Sequence, residues 1–326
     1  MKTLDSKLAH IRSGKYTNAD FIIADAKDGD MGFGRTAPGP VRGGKGLKSK
    51  ADYLAAMQAM TESGLVDVML TSVSTAEVLD YRKQYKDGPV TPAVRLNDTT
   101  DIWSQRGSNY KETAQHPFRT ANLADVEKIA DLGLYSITFS NDLAHDLRTL
   151  EAYAAFRQDL AKHGNKVRHF LEVFNPAFDI GLKGASLGEY VNDCIVRTLA
   201  GVASAQQPLF LKLQYNGAAA MSELAAYDPT RLIVGILGGA RGTTRDTFEL
   251  AAQAEKNGAR VALFGRKINF AESPLDLVGL MRKVIQREVS AKEAVKAYHD
   301  TLGKQKIKPD RDLRSDSEVT DPALEA

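Results

Sequence analysis

Residues 209–214 read Leu-Phe-Leu-Lys-Leu-Gln, an alternating run with a lysine at its centre. Side chains along a strand point to opposite faces in turn, so Leu209, Leu211 and Leu213 share one face and Phe210, Lys212 and Gln214 the other. The leucine face suits a covering layer of helices, which turns Lys212 inward. His169-Phe-Leu-Glu-Val-Phe174 repeats the arrangement, with Leu171 and Val173 outward and Phe170, Glu172 and Phe174 inward. Apolar runs of this length recur at 21–25, 68–72, 93–96, 135–139, 169–174, 209–214, 232–237 and 261–264. Between most of them lie segments of helical period, among them 50–63, 123–132, 150–163, 187–203 and 243–257. Strands alternating with helices imply βαβ units and a parallel sheet. Eight such repeats favour a closed barrel over an open sheet. An open dinucleotide-binding sheet needs G-x-G-x-x-G after its first strand, and here that turn reads Asp25-Ala-Lys-Asp-Gly-Asp30. The expected fold is α/β, a single (β/α)8 TIM barrel over residues 1–302. A charged tail over 303–326 lacks periodicity and is expected to be weakly ordered or to dock a partner.

The size agrees, since 326 residues hold one barrel of about 250 residues plus insertions. Two long loops follow strands one and three, at 28–48 and 97–121, at the strand ends where barrel active sites are built. Forty-three basic and 41 acidic residues leave a net charge of +2, which gives no electrostatic reason to expect nucleic acid or an acidic membrane as partner. The single cysteine, Cys194, excludes an internal disulfide and a cysteine-based zinc site, and reads as a structural thiol. Residues 1–17 carry no secretory apolar region, and no run approaches the ~20 residues of a membrane span. A reducing, cytoplasmic setting is expected. Association into a homo-oligomer, common among barrels, stays open.

Lysines are seldom buried without a reason, and burial penalises their charged form. A neutral amine in a pocket can form a Schiff base with a carbonyl compound; the plain alternative is a salt-bridged structural lysine. Glu172, among aromatics on the neighbouring strand, is placed to shuttle protons for Lys212, or simply to pair with it. The parity of strand one groups Ile23, Asp25 and Lys27 on one face. Asp25 is the candidate to hold Lys212, and Lys27 to bind an anion or act on Lys212 as a like charge; an interior salt bridge is the plain alternative for either. Strand three supplies Arg95. After strand seven comes Gly238-Gly-Ala-Arg-Gly-Thr-Thr244, and after strand eight Gly265-Arg-Lys-Ile268. Barrels often bind phosphate with these two loops, so Gly238, Gly239, Arg241, Gly265 and Arg266 are phosphate candidates. Tight βα turns are the plain alternative. Gly39-Pro-Val-Arg-Gly-Gly-Lys-Gly46 has the spacing of a Walker A loop but ends on glycine where a hydroxyl is needed for magnesium. Asp25, Asp28 and Asp30 are a weaker candidate set for a divalent cation.

In order and spacing these residues resemble the class I aldolases grouped with tagatose-bisphosphate aldolase and sulfofructose-phosphate aldolase. The resemblance covers residues 21–270 as a pattern of motifs. Asp25, Glu172, Lys212, the Gly238-Gly239 turn and Gly265-Arg266 stand where that group has its strand-one Asp, strand-five Glu, Schiff-base Lys and phosphate loops. Strand one departs from it, reading Asp25-Ala-Lys27 where the group has Asp-Gln-Arg. The resemblance implies retro-aldol cleavage of a phosphorylated ketose or related keto acid, a small-molecule phosphorylated sugar partner, and no cofactor, since the iminium supplies the electron sink. Two other functions fit the residues. One is a barrel isomerase or decarboxylase using Lys212 without a covalent intermediate. The other is a non-catalytic barrel with a binding or assembly role, in which Phe210 and Phe174 close the pocket and Glu172 ties up Lys212.

Overall fold

The computed structural model describes residues 2–325. Its strands are β1 (Ile22–Ala26), β2 (Val68–Thr71), β3 (Thr91–Arg95), β4 (Leu132–Thr138), β5 (Arg168–Phe174), β6 (Leu211–Leu213), β7 (Gly235–Leu237) and β8 (Val261–Phe264). Each pairs in parallel with the next, and β8 returns to β1, closing a barrel. Every expected run overlaps one strand. β6 and β7 are shorter than their apolar runs. At Gly235 a Cβ would lie 2.5 Å from the Leu211 carbonyl oxygen and 2.8 Å from the Val261 Cβ, so only glycine lets three strands approach there.

Two apolar layers divide at the barrel wall. Ala24, Leu70, Leu134, Phe170, Phe210 and Leu263 fill the interior, and Leu4, Leu8 and Ile11 of the helix Thr3–Arg12 pack with them. Ile23, Met69, Leu171, Val173, Leu211 and Leu213 pack outward against the helices. The parities inferred for β5 and β6 therefore hold, while that of β1 is reversed. Ala24 and Ala26 face in, and Ile23, Asp25 and Lys27 face the helix layer.

Asp25 and Lys27 form an ion pair at 2.9 Å, 0% and 2% exposed at their side chains. Tyr53, from the helix Lys50–Ser63, donates its hydroxyl to the Lys27 carbonyl at 2.9 Å. Burial pushes the Asp25 carboxyl up against the pull of Lys27. Its Oδ2 has no hydrogen-bond partner.

Both long loops are folded. After β1 the chain forms a short helix, Asp30–Phe33, a 3-10 turn, Gly34–Thr36, and an antiparallel bridge, Pro40 to Leu47. Gly39 takes φ +84° with the Phe270 ring so close that a Cβ would lie 2.6 Å from it. In the loop after β3, Trp103 packs edge-on to Phe118 at 4.8 Å, and the Ser104 N–H donates to the Gly32 carbonyl at 2.9 Å, pinning the two loops together.

The tail, expected to be weakly ordered or to dock a partner, lies against the barrel. The helix Ala291–Lys304 runs past residue 302, and Asp316 and Leu324 are buried. Asp316 accepts from the Thr244 N–H at 2.8 Å and lies 2.9 Å from His299 Nε2. Thr320 gives its N–H and hydroxyl to Asp246 at 2.7 and 2.6 Å. A short stretch with few apolar residues has no periodicity to betray its packing, because scattered polar contacts hold it.

The reversed face of β1 makes a prediction. Asp25→Asn leaves Lys27 buried without its counter-charge and should cost about 3–5 kcal/mol in chemical denaturation, with kcat of the folded protein changed only a few-fold. A hundredfold fall in kcat at unchanged stability would return Asp25 to the reacting groups.

Candidate active site

Glu172 and Lys212 are register partners on β5 and β6. Lys212 Nζ lies 2.5 Å from Glu172 Oε1, and the two side chains are 6% and 1% exposed. The other glutamate oxygen accepts from Ser136 Oγ at 2.7 Å and from Arg95 Nη2 at 2.8 Å. Arg95 also donates Nη1 to Ser136 Oγ at 2.7 Å and Nε to Asp28 Oδ2. Asp98 Oδ1 lies 3.4 Å from Arg95 Nη1 and accepts from the Thr99 N–H at 2.9 Å. One guanidinium thus joins the loop after β1 to β3, β4 and β5 at the C-terminal mouth of the barrel, with Lys212 held against the same carboxylate.

Three carboxyls, Asp28, Asp98 and Glu172, face two cations, Arg95 and Lys212. The surplus negative charge is not shared equally. Burial alone would raise the Asp28 carboxyl, but Arg95 and Lys212 outweigh it and hold the group below the usual carboxylate range. Asp98 is pushed up to about 6 by burial, which Arg95 relieves only in part and which Glu172 and Asp28 reinforce. Asp98 therefore holds its proton to a higher pH than an ordinary carboxyl does.

The cluster lines a cavity of about 130 Å³, completed by Phe33, Ile102, Phe174, the Gly238-Gly239 turn and Gly265-Arg266. Arg266 is half-buried, stacks its guanidinium 5.1 Å from the Phe33 ring centroid, and has no ion pair among the described residues. Phe210 does not close this cavity; it stacks on Phe170 at 4.7 Å deeper in the barrel. A separate cavity of about 600 Å³ opens at the N-terminal strand ends beside Arg12 and Arg168, away from all of these groups.

Lys212, Glu172, Arg95, Gly238, Gly239, Gly265 and Arg266 come together as expected from the sequence. Asp25 and Lys27 do not, since they pair with each other behind β1. Arg241 is also drawn away. Its guanidinium is clamped by Glu272 at 2.9 Å and Asp310 at 2.5 Å. Asp25, Asp28 and Asp30 diverge, Asp30 bonding Ser72 at 2.8 Å and Lys50 at 3.0 Å, so they form no common cation site. Asp28, Asp98 and Ser136 were missed as members of the cluster. Asp28 was legible in principle, because counting the face from Ala24 and Ala26 instead of Asp25 turns it inward. Cys194 is half-buried, and burial raises its thiol, which makes it a poor nucleophile.

No protein-family model matches the chain, and no curated protein matches it. Solved structures do. An archaeal fructose 1,6-bisphosphate aldolase superimposes with a TM-score of 0.61 at 15% identity, over 87% of this chain and 99% of that one. A second archaeal structure, with the catalytic lysine covalently bound to the carbinolamine intermediate of its substrate, gives 0.60 at 16% identity over 87% and 99%. Fructose-bisphosphate aldolase from Slackia heliotrinireducens gives 0.59 at 13% over 92% and 90%. At these identities the likeness is one of fold. It defines the chain as a closed barrel of the architecture that Schiff-base aldolases also use.

The proton on Asp98 has a measurable consequence. A carboxyl whose folded pKa is raised binds its proton more tightly in the native state, so its contribution to stability is lost as pH rises from about 4 to about 6. Asp98→Asn, a permanent mimic of the protonated form, should match wild type near pH 4 and exceed it above pH 6, by on the order of 2–3 kcal/mol. Urea denaturation of both proteins across this range checks it. A difference that does not grow with pH would show Asp98 to be ionised throughout.

Proposed function

We propose that the protein is a class I aldolase that makes or cleaves a carbon–carbon bond of a phosphorylated ketose or related keto compound, with Lys212 as the Schiff-base residue. The observation that carries this is the Lys212–Glu172 contact at 2.5 Å, buried at the C-terminal mouth of the barrel and opening on a cavity that also holds an unpaired guanidinium, Arg266. Among Schiff-base aldolases the motif order favours the tagatose-bisphosphate and sulfofructose-phosphate group, with Asp28 standing in for the strand-one carboxylate in place of Asp25.

The chemistry follows from the contacts. Proton transfer from the Lys212 ammonium to the Glu172 carboxylate leaves a free amine. The amine nitrogen attacks the substrate carbonyl carbon, and the carbonyl oxygen takes the proton from Glu172. The nitrogen then loses a second proton to Glu172, which passes it to the hydroxyl; that oxygen leaves as water and an iminium remains. A carboxylate then removes the proton of the hydroxyl on the β carbon. The bond between the α and β carbons breaks, its electron pair passing to the α carbon and the iminium to give an enamine, and an aldehyde departs. Reprotonation of the α carbon and hydrolysis by water free Lys212. Asp98 is placed to relay protons in these steps, and Arg95 holds Glu172 and Asp28 in position throughout. The substrate phosphate lies against Gly238, Gly239, Gly265 and Arg266.

Lys212→Ala should fold and lose turnover. Sodium borohydride with a panel of phosphorylated ketoses should add the reduced substrate mass to wild type and not to the variant. An adduct mapped to another lysine, such as Lys267, would refute the assignment.

Arg266→Ala removes one charge-assisted contact, worth about 1.5–3 kcal/mol. It should raise KM for a phosphorylated substrate ~10- to 150-fold, at ~1.4 kcal/mol per factor of ten, with little change for the unphosphorylated analogue. Equal losses on both substrates would remove the phosphate from Arg266.

A further inference from the structure

The cavity at Lys212 is too small for a whole hexose phosphate. Its 130 Å³ lies below the ~300–1,000 Å³ usual for small-molecule sites. A second cavity of about 910 Å³ borders it, and Leu237, Gly238 and Gly239 line both. β6 bridges the two. Lys212 lines the first, and Gln214, two residues on along the same inward face and so ~7 Å away, lines the second. A substrate held through its carbonyl at Lys212 and its phosphate at Arg266 has this larger space for the rest of its length.

The two cavities differ in charge. Arg95, Lys212 and Arg266 line the first beside Asp28, Asp98 and Glu172, so its carboxyls are matched by cations, whereas among the described residues no lysine or arginine lines the second. Its carboxylates are those of Glu189, Glu223 and Asp321. The nearby Lys183 is 82% exposed and paired with Asp179 at 3.1 Å. Neutral hydrogen-bonding groups come from Asn175 and Asn216, whose amides bond each other at 2.7 and 3.1 Å, and from Gln214, whose oxygen accepts from the Asn175 N–H at 3.3 Å. Amides offer donors and acceptors to hydroxyls, and carboxylates accept from hydroxyls but repel a second phosphate.

Building on the Schiff-base assignment of Lys212, we propose that the substrate is a phosphomonoester whose other end is uncharged and hydroxylated, so that the enzyme takes a neutral hydroxyaldehyde and not a phosphorylated one as its aldehyde partner. The phosphate-bearing half occupies the cavity of Lys212 and Arg266. The hydroxyaldehyde half occupies the cavity of Gln214, Asn175 and Asn216.

The test has two arms. In the first, wild type is treated with glycerone phosphate and borohydride, and the mass adduct is mapped. An adduct on Lys212 is expected, and its absence overturns the Schiff-base assignment and this proposal with it. In the second, the condensation of glycerone phosphate with racemic glyceraldehyde is compared with that of racemic glyceraldehyde 3-phosphate. The neutral aldehyde should be favoured at least tenfold in kcat/KM. Equal use, preference for the phosphorylated aldehyde, or condensation with neither overturns the proposal while a Lys212 adduct leaves the Schiff-base assignment standing. Glu189→Lys, a change at an exposed helix position, replaces a carboxylate of the second cavity with a cation. It should shift the ratio toward the phosphorylated aldehyde at least threefold, and an unmoved ratio counts against charge as the cause of the selectivity.

Discussion

The guanidinium of Arg95 is the constraint on which the site depends. It is buried, it is always charged, and its planar fork can serve several oxygens at once. Asp28, Ser136 and Glu172 take direct hydrogen bonds from it, and Asp98 lies within ion-pair distance. Without it, three carboxyls would share one small cavity with a single lysine. Such a cluster would either take up protons or spread apart, since a buried carboxylate without a partner is costly. With Arg95 in place, Glu172 is fixed by two donors on one oxygen, which leaves the other free to face Lys212. The lysine therefore meets one particular oxygen of one particular carboxylate, a geometry suited to passing a single proton.

That geometry rests on strands. Arg95, Ser136, Glu172 and Lys212 sit on β3 to β6, four neighbouring parallel strands of a closed sheet, and Glu172 and Lys212 are direct register partners. Register in a closed barrel cannot slip at one strand alone, because a one-residue shift would turn inward side chains outward along that strand. Groups of a different kind come from loops. Asp28, Asp98 and Ile102 lie on the two long connections, which the Ser104 to Gly32 hydrogen bond ties together. The sheet thus fixes the Glu172–Lys212 pair, and the pinned loops shape the space in front of it.

How far this could be read from the sequence differs strand by strand. Where large apolar residues mark one face, as in β5 and β6, alternation placed Glu172 and Lys212 correctly. β1 is buried on both faces, as strands of parallel sheets are, and its inward residues are alanines. With apolar residues on both sides, Asp25 looked like the inward group because it carries chemistry. In fact it pairs with Lys27 in the helix layer, and Asp28 faces the cavity. The glycine loops after β7 and β8 were partly legible. Glycines mark where backbone approaches closely, and Gly238, Gly239 and Gly265 do line the cavity. An arginine beside such a turn carries no sign of where its long side chain goes. The carboxylates that hold Arg241 lie 31 and 69 residues later, at Glu272 and Asp310, a distance over which no local pattern reaches.

The tail bears on the same question of anions. The helix Thr244–Lys256 begins just after the glycine turn of β7, and its first N–H groups would serve an anion well. They are already taken. Thr243 gives its N–H to Asp246, and Thr244 gives its own to Asp316 from the tail. The chain supplies a carboxylate where a phosphate would otherwise be drawn, and His299 on the far side of Asp316 holds it there. Arg241, the neighbouring cation, is likewise neutralised by the chain. Among the described residues, Arg266 is then the cation of the two glycine loops that faces the cavity without an ion pair. An anion drawn to these two loops would therefore meet its free cation after β8, in the cavity that Lys212 also lines, and not at the start of the long helix.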